Sequence, residues 1–388
     1  VEKVMSDKIQ LDRKKIQETN AYSCLECGKC TGVCPVSRYS KTFSPRQTLI
    51  RTLRNTHPES LKDANVWRCL TCQQCDTICP ANIKYVEFTQ MIRQFVGVEN
   101  REGTCSHGGI LESILKIMTS PDLKQQRLDW LTKDYQTSQS SEYLYFMGCL
   151  PYYDVLFTEI GVQSLNIARS MIKILNYFDI QPQIMSNEKC CGHDFYWNGD
   201  MKNFKKLAQA NLEQINTLGI KYIITACAEC YRTLKIDYPL QMGSQSFEVI
   251  HITEFLADKL KERNLRLKTD KMKLTYHDPC RLGRHMGIYD SPRLALSHLT
   301  GIQYQEMAHH HKRAICCGVT SWMNCSQISK QIQHARLNEA QAIEVDTMVT
   351  ACPKCQIHFK CALQDKEFGE HIKFQIKDFT EIFAEQLP

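Results

Sequence analysis

Cysteine carries the chemistry of this chain, and its spacing narrows which chemistry that is. Two runs, Cys24-x2-Cys27-x2-Cys30-x3-Cys34-Pro35 and Cys69-x2-Cys72-x2-Cys75-x3-Cys79-Pro80, repeat one pattern. Further along, the adjacent pair of Cys190-Cys191-Gly192 recurs as Cys316-Cys317-Gly318. Each triplet is preceded by a single cysteine, Cys149 or Cys280, and followed by a pair, Cys227-x2-Cys230 or Cys352-x2-Cys355. Thiolate sulfur is a soft ligand suited to zinc and to iron–sulfur clusters. Disulfides are not expected: the count of 21 cysteines is odd, Val1-Glu2-Lys3-Val4 and the polar residues after it make no secretory leader, and disulfide frameworks belong mostly to small secreted chains. Structural zinc takes four ligands, commonly two separated pairs, whereas each N-terminal run packs four cysteines into eleven residues beside the same proline.

The spacing of those runs is that of the two-cluster bacterial ferredoxins. There the first three thiolates of a run hold one [4Fe–4S] cubane and the fourth, beside proline, crosses to the other. The expected ligand sets are therefore Cys24, Cys27, Cys30 and Cys79 for one cluster, and Cys69, Cys72, Cys75 and Cys34 for the second. In the later pattern an adjacent cysteine pair is awkward for one tetrahedral ion but suits a polynuclear cluster that presents several irons. The following glycine permits close backbone approach or a positive φ. Zinc or buried free cysteines are the alternatives for one such set. Two complete copies favour clusters.

The elements that must position these sulfurs are legible from periodicity. Residues 1–20 read as a polar arm or short helix. Ser44-Pro45-Arg46 looks like an N-cap followed by proline at the first helical position, with Leu49, Ile50, Leu53 and Leu61 at helical spacing. Val86, Phe88, Met91, Ile92 and Phe95 predict a second amphipathic helix, so residues 1–100 are expected to form a mostly helical two-cubane domain. Residues 101–142 read as a connector with a helix around Ile110–Met118, ending in the polar linker Gln136–Ser141. Beyond it the chain repeats itself at offsets of 131, 126 and 125 residues for the three cysteine elements, and Thr253-Glu254-Phe255-Leu256-Ala257 matches Thr380-Glu381-Ile382-Phe383-Ala384. A period this long means duplicated domains, expected at 143–266 and 267–388. Apolar runs at Tyr143–Met147, Tyr222–Thr225, Met272–Tyr276 and Val345–Val349 lead into cysteines, and helical patterns lie between them. The fold class expected for each copy is α/β with a parallel sheet, the cysteines emerging at the carboxyl ends of strands.

This combination, a two-cubane ferredoxin module followed by two complete cysteine-rich CCG domains, resembles the catalytic subunit of heterodisulfide reductase in its fused form. It is similar also to the related subunit of membrane complexes associated with dissimilatory sulfite reduction. The likeness runs from about residue 20 to the C-terminus and includes Tyr276-His277-Asp278-Pro279-Cys280-Arg281-Leu282-Gly283-Arg284. It implies one non-cubane [4Fe–4S] cluster held by Cys149, Cys190, Cys191, Cys227 and Cys230, and another held by Cys280, Cys316, Cys317, Cys352 and Cys355. It further implies that the two flank a site where a disulfide is split: a mixed disulfide of two thiol coenzymes, or a related di- or trisulfide. The implied partners are an anionic thiol or disulfide substrate and other subunits of an electron-transfer complex, flavin-containing or cytochrome b-type. Relatives that only relay electrons often have incomplete CCG sets, so completeness favours disulfide chemistry. The alternatives are a non-catalytic electron relay between a flavin or dehydrogenase subunit and a quinone-reactive membrane partner, and a zinc-stabilised scaffold.

Composition bounds these readings. The 388 residues suffice for two or three domains with their own cores. Charged residues at 23% and hydrophobic ones at 43% are ordinary soluble usage, and no apolar run approaches the about eighteen residues of a membrane span. The net charge of +6 is spread along the chain without a Lys/Arg block, which argues against nucleic acid. The setting expected is cytoplasmic, any membrane association being made through a partner. Among the remaining residues, Cys105, Cys325 and Cys361 read as structural. His309-His310-His311 with Lys312 and Arg313 reads as a solvated loop or an anion-attracting patch. His193 and Asp194 could orient a proton or bond a cluster sulfur. Trp197 and Trp322, at matching places after the triplets, read as packing elements.

Overall fold

The computed structural model describes residues 13–54, 65–97, 106–323 and 325–387. Leu61, Cys105 and residues 1–12 of the polar arm lie outside the described residues. The chain forms two compact units, each assembled from separate stretches. One comprises Val1–Ile114, His193–Phe204 and Gly318–Ile332; the other comprises Leu115–Gly192, Lys205–Cys317 and Gln333–Pro388.

The first unit is helical around its cysteine loops. Helix Pro45–Arg54 starts as its sequence suggests: Ser44 Oγ accepts from Gln47 N at 3.3 Å, proline follows it, and Leu49 faces inward. Helix Tyr85–Val96 buries Val86, Phe88, Ile92 and Val96. Trp67, Trp197 and Trp322 are each buried to about 1% exposure, so the segments that follow the two triplets supply core to this unit. Arg93, also buried, ties the Trp67 and Trp197 segments together. Its guanidinium donates to Cys69 O at 2.7 Å, Val66 O at 3.0 Å and Trp197 O at 2.9 Å, and lies over the Trp67 ring. Hydrogen bonds from a charged donor contribute about 1.5–3 kcal/mol each, so this one side chain anchors the loop that begins at Cys69.

The second unit holds two all-parallel sheets. The strands are β1 (Tyr143–Tyr145), β2 (Tyr222–Thr225), β3 (Glu248–His251), β4 (Leu267–His277), β5 (Leu299–Tyr304), β6 (Thr347–Thr350) and β7 (Gln375–Asp378). Their orders are β1-β2-β3 and β5-β4-β6-β7. Removing the edge strand β5 leaves β4-β6-β7, the counterpart of β1-β2-β3, so the duplicated sequence folds into duplicated topology. The short apolar runs of β2 and β6 are buried almost throughout, as parallel strands covered on both faces require. The repeated Thr-Glu tail has a local cause. His251 and Asp378 end β3 and β7 and cap the next helices in capping boxes with Glu254 and Glu381. The fold is the α/β arrangement expected, with a helical cluster-type module at the N-terminus. Among the described residues no helix is long and apolar enough to cross a membrane.

Candidate metal centres

In the first unit the two cysteine runs share one loop conformation. Glu26 and Gly28 in the first (φ 51° and 77°) and Thr71 and Gln73 in the second (φ 45° and 64°) adopt left-handed backbone at equivalent places. Such geometry is costly for a β-branched residue and persists where function demands it. Alternating left-handed residues curl successive N–H groups into a concavity, the kind of nest that receives anionic sulfur. Cys24, Cys27, Cys30 and Cys79 line one apolar cavity, which Cys75 of the second run also lines. Burial, with Cys24 and Cys79 close by, raises the Cys30 thiol. Cys34 lies with the other run: burial and the nearby Cys72 push its thiol up to about 12. Cys75 is likewise raised by burial, by Asp76 and by Cys69, and it donates to Asp76 Oδ1 at 3.1 Å.

In the second unit all ten CCG-pattern cysteines gather on the carboxyl side of the strands. Cys149 follows β1, Cys227 follows β2, Cys280 follows β4 and Cys352 follows β6. Their sulfurs are near neighbours in series, from Cys190 through Cys191, Cys230, Cys227, Cys352, Cys355, Cys317 and Cys316 to Cys280. Cys149 lies beside Cys191. Along this series Cys191, Cys227 and Cys317 are held below the usual thiol range by neighbouring thiols, and Cys230 and Cys355 are raised. The two sets therefore meet through their Cys-x2-Cys motifs, Cys227 against Cys352, with one triplet on either side. A second contact spans the same join: Lys354 Nζ lies 2.6 Å from Glu229 Oε2, both side chains buried. Glu229 and Lys354 occupy the same place in the two motifs.

Residues without a metal-type sequence signal hold the triplets. Arg127, in the connector, donates from Nη2 to Gly148 O at 2.6 Å and Glu188 Oε1 at 2.9 Å. The Glu188 carboxylate in turn accepts from Gly148 N at 2.7 Å, so the loop carrying Cys149 is tied to the one carrying Cys190 and Cys191. Burial pushes Glu188 up to about 7 against the pull of Arg127. In the second half Asp278 does similar work, bonded to Arg293 by two bonds of 2.8 and 2.9 Å and accepting from His311 N at 2.8 Å. Burial raises Asp278, but Arg293 outweighs it and holds the carboxyl below the usual range. Only a sequence reading that paired a buried acid beside each cysteine loop with a distant arginine would have found these ties. Gly192 and Gly318 carry φ of 86° and 90°, the backbone that the CCG glycine anticipates.

The other candidates divide. His193 Nδ1 and Asp194 Oδ1 form a buried pair at 2.9 Å in the first unit. Trp197 and Trp322 are core residues. His309 pairs with Glu339, and His310 and His311 face each other at 2.6 Å between ring nitrogens. Cys325 is exposed and Cys361 half-buried.

These donor sets fit iron–sulfur clusters. Buried thiols with raised pKa become thiolates only with a cation among them, and sulfurs close enough to hydrogen-bond in series suit a polynuclear centre. Comparison with known proteins agrees. A cysteine-rich domain model matches residues 143–235 and 274–360, and a 4Fe-4S dicluster domain model matches residues 19–83. The fold and the sulfur sites thus define an iron–sulfur protein with a ferredoxin-type dicluster module and two CCG domains. The chain is 28% identical to a subunit of the dihydromethanophenazine:CoB–CoM heterodisulfide reductase of Methanosarcina mazei, over 94% of this chain and 93% of that one. It is 26% identical to a subunit of the fumarate reductase (CoM/CoB) of Methanothermobacter marburgensis, over 92% and 70%. It is 33% identical to the EtfAB:quinone oxidoreductase of Syntrophomonas wolfei, over 55% of this chain and 30% of that one. The chain is thus similar to iron–sulfur oxidoreductase subunits of heterodisulfide reductase and of related electron-transfer proteins.

Proposed function

We propose that this chain is a heterodisulfide reductase-like subunit. It passes single electrons through two cubane clusters to two non-cubane [4Fe–4S] clusters, where a disulfide of thiol coenzymes or a related di- or trisulfide is reduced to thiols. Cys24, Cys27, Cys30 and Cys79 hold one cubane, and Cys69, Cys72, Cys75 and Cys34 the other. Cys149, Cys190, Cys191, Cys227 and Cys230 hold the first non-cubane cluster; Cys280, Cys316, Cys317, Cys352 and Cys355 hold the second. The domains are a ferredoxin-type module at 1–100, a connector at 101–142 and CCG domains at 143–266 and 267–388. When bound, the clusters supply one-electron storage and iron with affinity for sulfur. The protein's own residues place the thiolates: Arg127 and Glu188 fix the first triplet loop, Asp278 and Arg293 the loops of the second half, and Glu229 with Lys354 the join. Other subunits, flavin-containing or cytochrome b-type, supply the electrons.

The observation that supports this reading is the join of the two Cys-x2-Cys motifs, where Cys227 neighbours Cys352 and Lys354 pairs with Glu229 at 2.6 Å. A substrate with two sulfurs to receive electrons suits a site with two equivalent halves. The second reading, a relay without chemistry of its own, is favoured by the likeness to a quinone oxidoreductase. Anaerobic assay of the iron-loaded chain with an artificial one-electron donor and candidate disulfides separates the two. Reductase activity that Cys191→Ser or Cys317→Ser abolishes, with ferredoxin-type signals retained, supports the enzyme. Electron uptake without turnover of any disulfide supports the relay. Iron and acid-labile sulfide near sixteen per chain, as expected of four four-iron clusters, excludes a zinc scaffold.

A further inference from the structure

The two CCG halves match sulfur for sulfur, and they differ in what else reaches those sulfurs. His358 lies on helix Pro353–Ala362, is 3% exposed, and has its Nδ1 3.3 Å from Cys317 Sγ. Its place in the motif is Cys355-x2-His358. The first half reads Cys230-x2-Thr233, so threonine stands where the second half has histidine. Thr233 is fully buried, and its hydroxyl reaches no cysteine sulfur among the described residues. The groups that act on Cys191, the counterpart of Cys317, are the cysteines Cys190, Cys230, Cys149 and Cys227.

Hydrogen bonds to cluster sulfurs and their ligands are among the determinants of an iron–sulfur potential, and a donor stabilises the more negative, reduced state. We propose that His358 is a positioning residue that donates its Nδ1–H to the Cys317 sulfur and makes the second CCG site the first of the two to accept an electron. The step adds one electron to that site and removes one from an external one-electron reductant; no bond is made or broken and no proton moves. The inference rests on the reading that both halves hold clusters. It goes beyond that reading by making the duplicated sites electronically unequal and assigning the inequality to one side chain.

The experiment is an anaerobic, mediator-coupled titration of the cluster-loaded full chain with dithionite, followed by electron paramagnetic resonance. Wild type, His358→Thr and His358→Gln are compared at measured iron and sulfide content. In the threonine variant one of the two CCG-site signals should shift to lower potential, while the other CCG signal and the ferredoxin-type signals stay in place. Glutamine keeps a donor N–H and should restore part of the shift. If the threonine variant does not load iron, His358→Phe fills the ring volume without a donor, and the same single shift is expected. Full iron content with both CCG signals at wild-type potential overturns the inference alone. Wild-type iron short of the two CCG clusters overturns the cofactor reading, and this inference with it.

Discussion

Replacing Lys354 with methionine tests the join between the two Cys-x2-Cys motifs. The Lys354 and Glu229 side chains are 2% and 11% exposed and their charged atoms 2.6 Å apart. Methionine keeps the apolar stem but leaves the Glu229 carboxylate without its lysine. Removing one partner of a buried pair costs about 3–5 kcal/mol, because the remaining charge stays desolvated. At roughly 2–4 °C per kcal/mol for a unit of this general size, the unfolding temperature of the cluster-loaded protein should fall by at least about 6 °C. Adding Glu229→Gln removes both charges and should recover more than half of that loss, a non-additivity that a double-mutant cycle reads directly. The assay is anaerobic thermal unfolding followed by circular dichroism, with iron content measured on each variant. A loss of about 2 °C or less for Lys354→Met, the size of effect an exposed pair worth about 0–1 kcal/mol gives, would refute the argument.

Three further outcomes are expected. Cys34→Ala should remove the cluster expected at Cys69, Cys72 and Cys75 and spare the one at Cys24; spectroscopic loss confined to the Cys24 site counts against the crossed assignment. Gly148→Ala should lower iron content at the first CCG site, since its Cβ would stand 2.9 Å from Cys230 Sγ on a backbone with φ of 65°; unchanged iron content would show that the loop yields. His251 and His277 are depressed to about 4 and about 3, first of all by burial. They stay neutral when folded, whereas the unfolded chain protonates them below pH ~6.5. Their stabilisation is therefore complete above that pH and is lost as pH falls toward 4 and 3, at about 1.4 kcal/mol per unit for each. Unfolding temperatures measured from pH 7 to 5 should fall, and His277→Gln should flatten that fall; an unchanged slope in the variant speaks against a buried neutral His277.

How far this was legible depended on whether a feature has a local signal. Strands β1, β2, β4 and β6 and both cysteine patterns were readable because burial on both faces leaves an apolar run, and because cluster ligands are spaced along short loops; β3 and β7 were not read. Tyr222–Thr225 is a strand over the span its sequence suggests, and Ile110–Met118 is a helix. The edge strand β5, Leu-Thr-Gly-Ile-Gln-Tyr, carried too little apolar alternation to be seen. Glu188 is an acid in a polar stretch and Arg127 one basic residue of a connector, about sixty positions apart; nothing local pairs them. The left-handed backbone at Thr71 is equally silent, since threonine is a poor signal for it. The contact of Glu229 with Lys354 was latent in the register of the two repeats, but it becomes visible only once the folded halves place equivalent residues face to face.

That contact also bears on why the two halves share one chain. Where two copies of a domain meet about an approximate two-fold axis, each residue on the axis faces its own equivalent. In a homodimer those equivalents would be identical. Two Glu229 carboxylates or two Lys354 ammonium groups, buried at this distance, would repel where the present pair attracts. Threonine in one half at the sequence position that holds histidine in the other fits the same divergence, because a homodimer would give both sites the imidazole or neither. Fusion of the duplicated domains is what allows the residues at the join to diverge while the ten sulfurs remain matched, so the fold keeps two like sites and the charges around them make the sites unlike. On the function proposed above, a site of this kind is suited to a disulfide whose two halves differ.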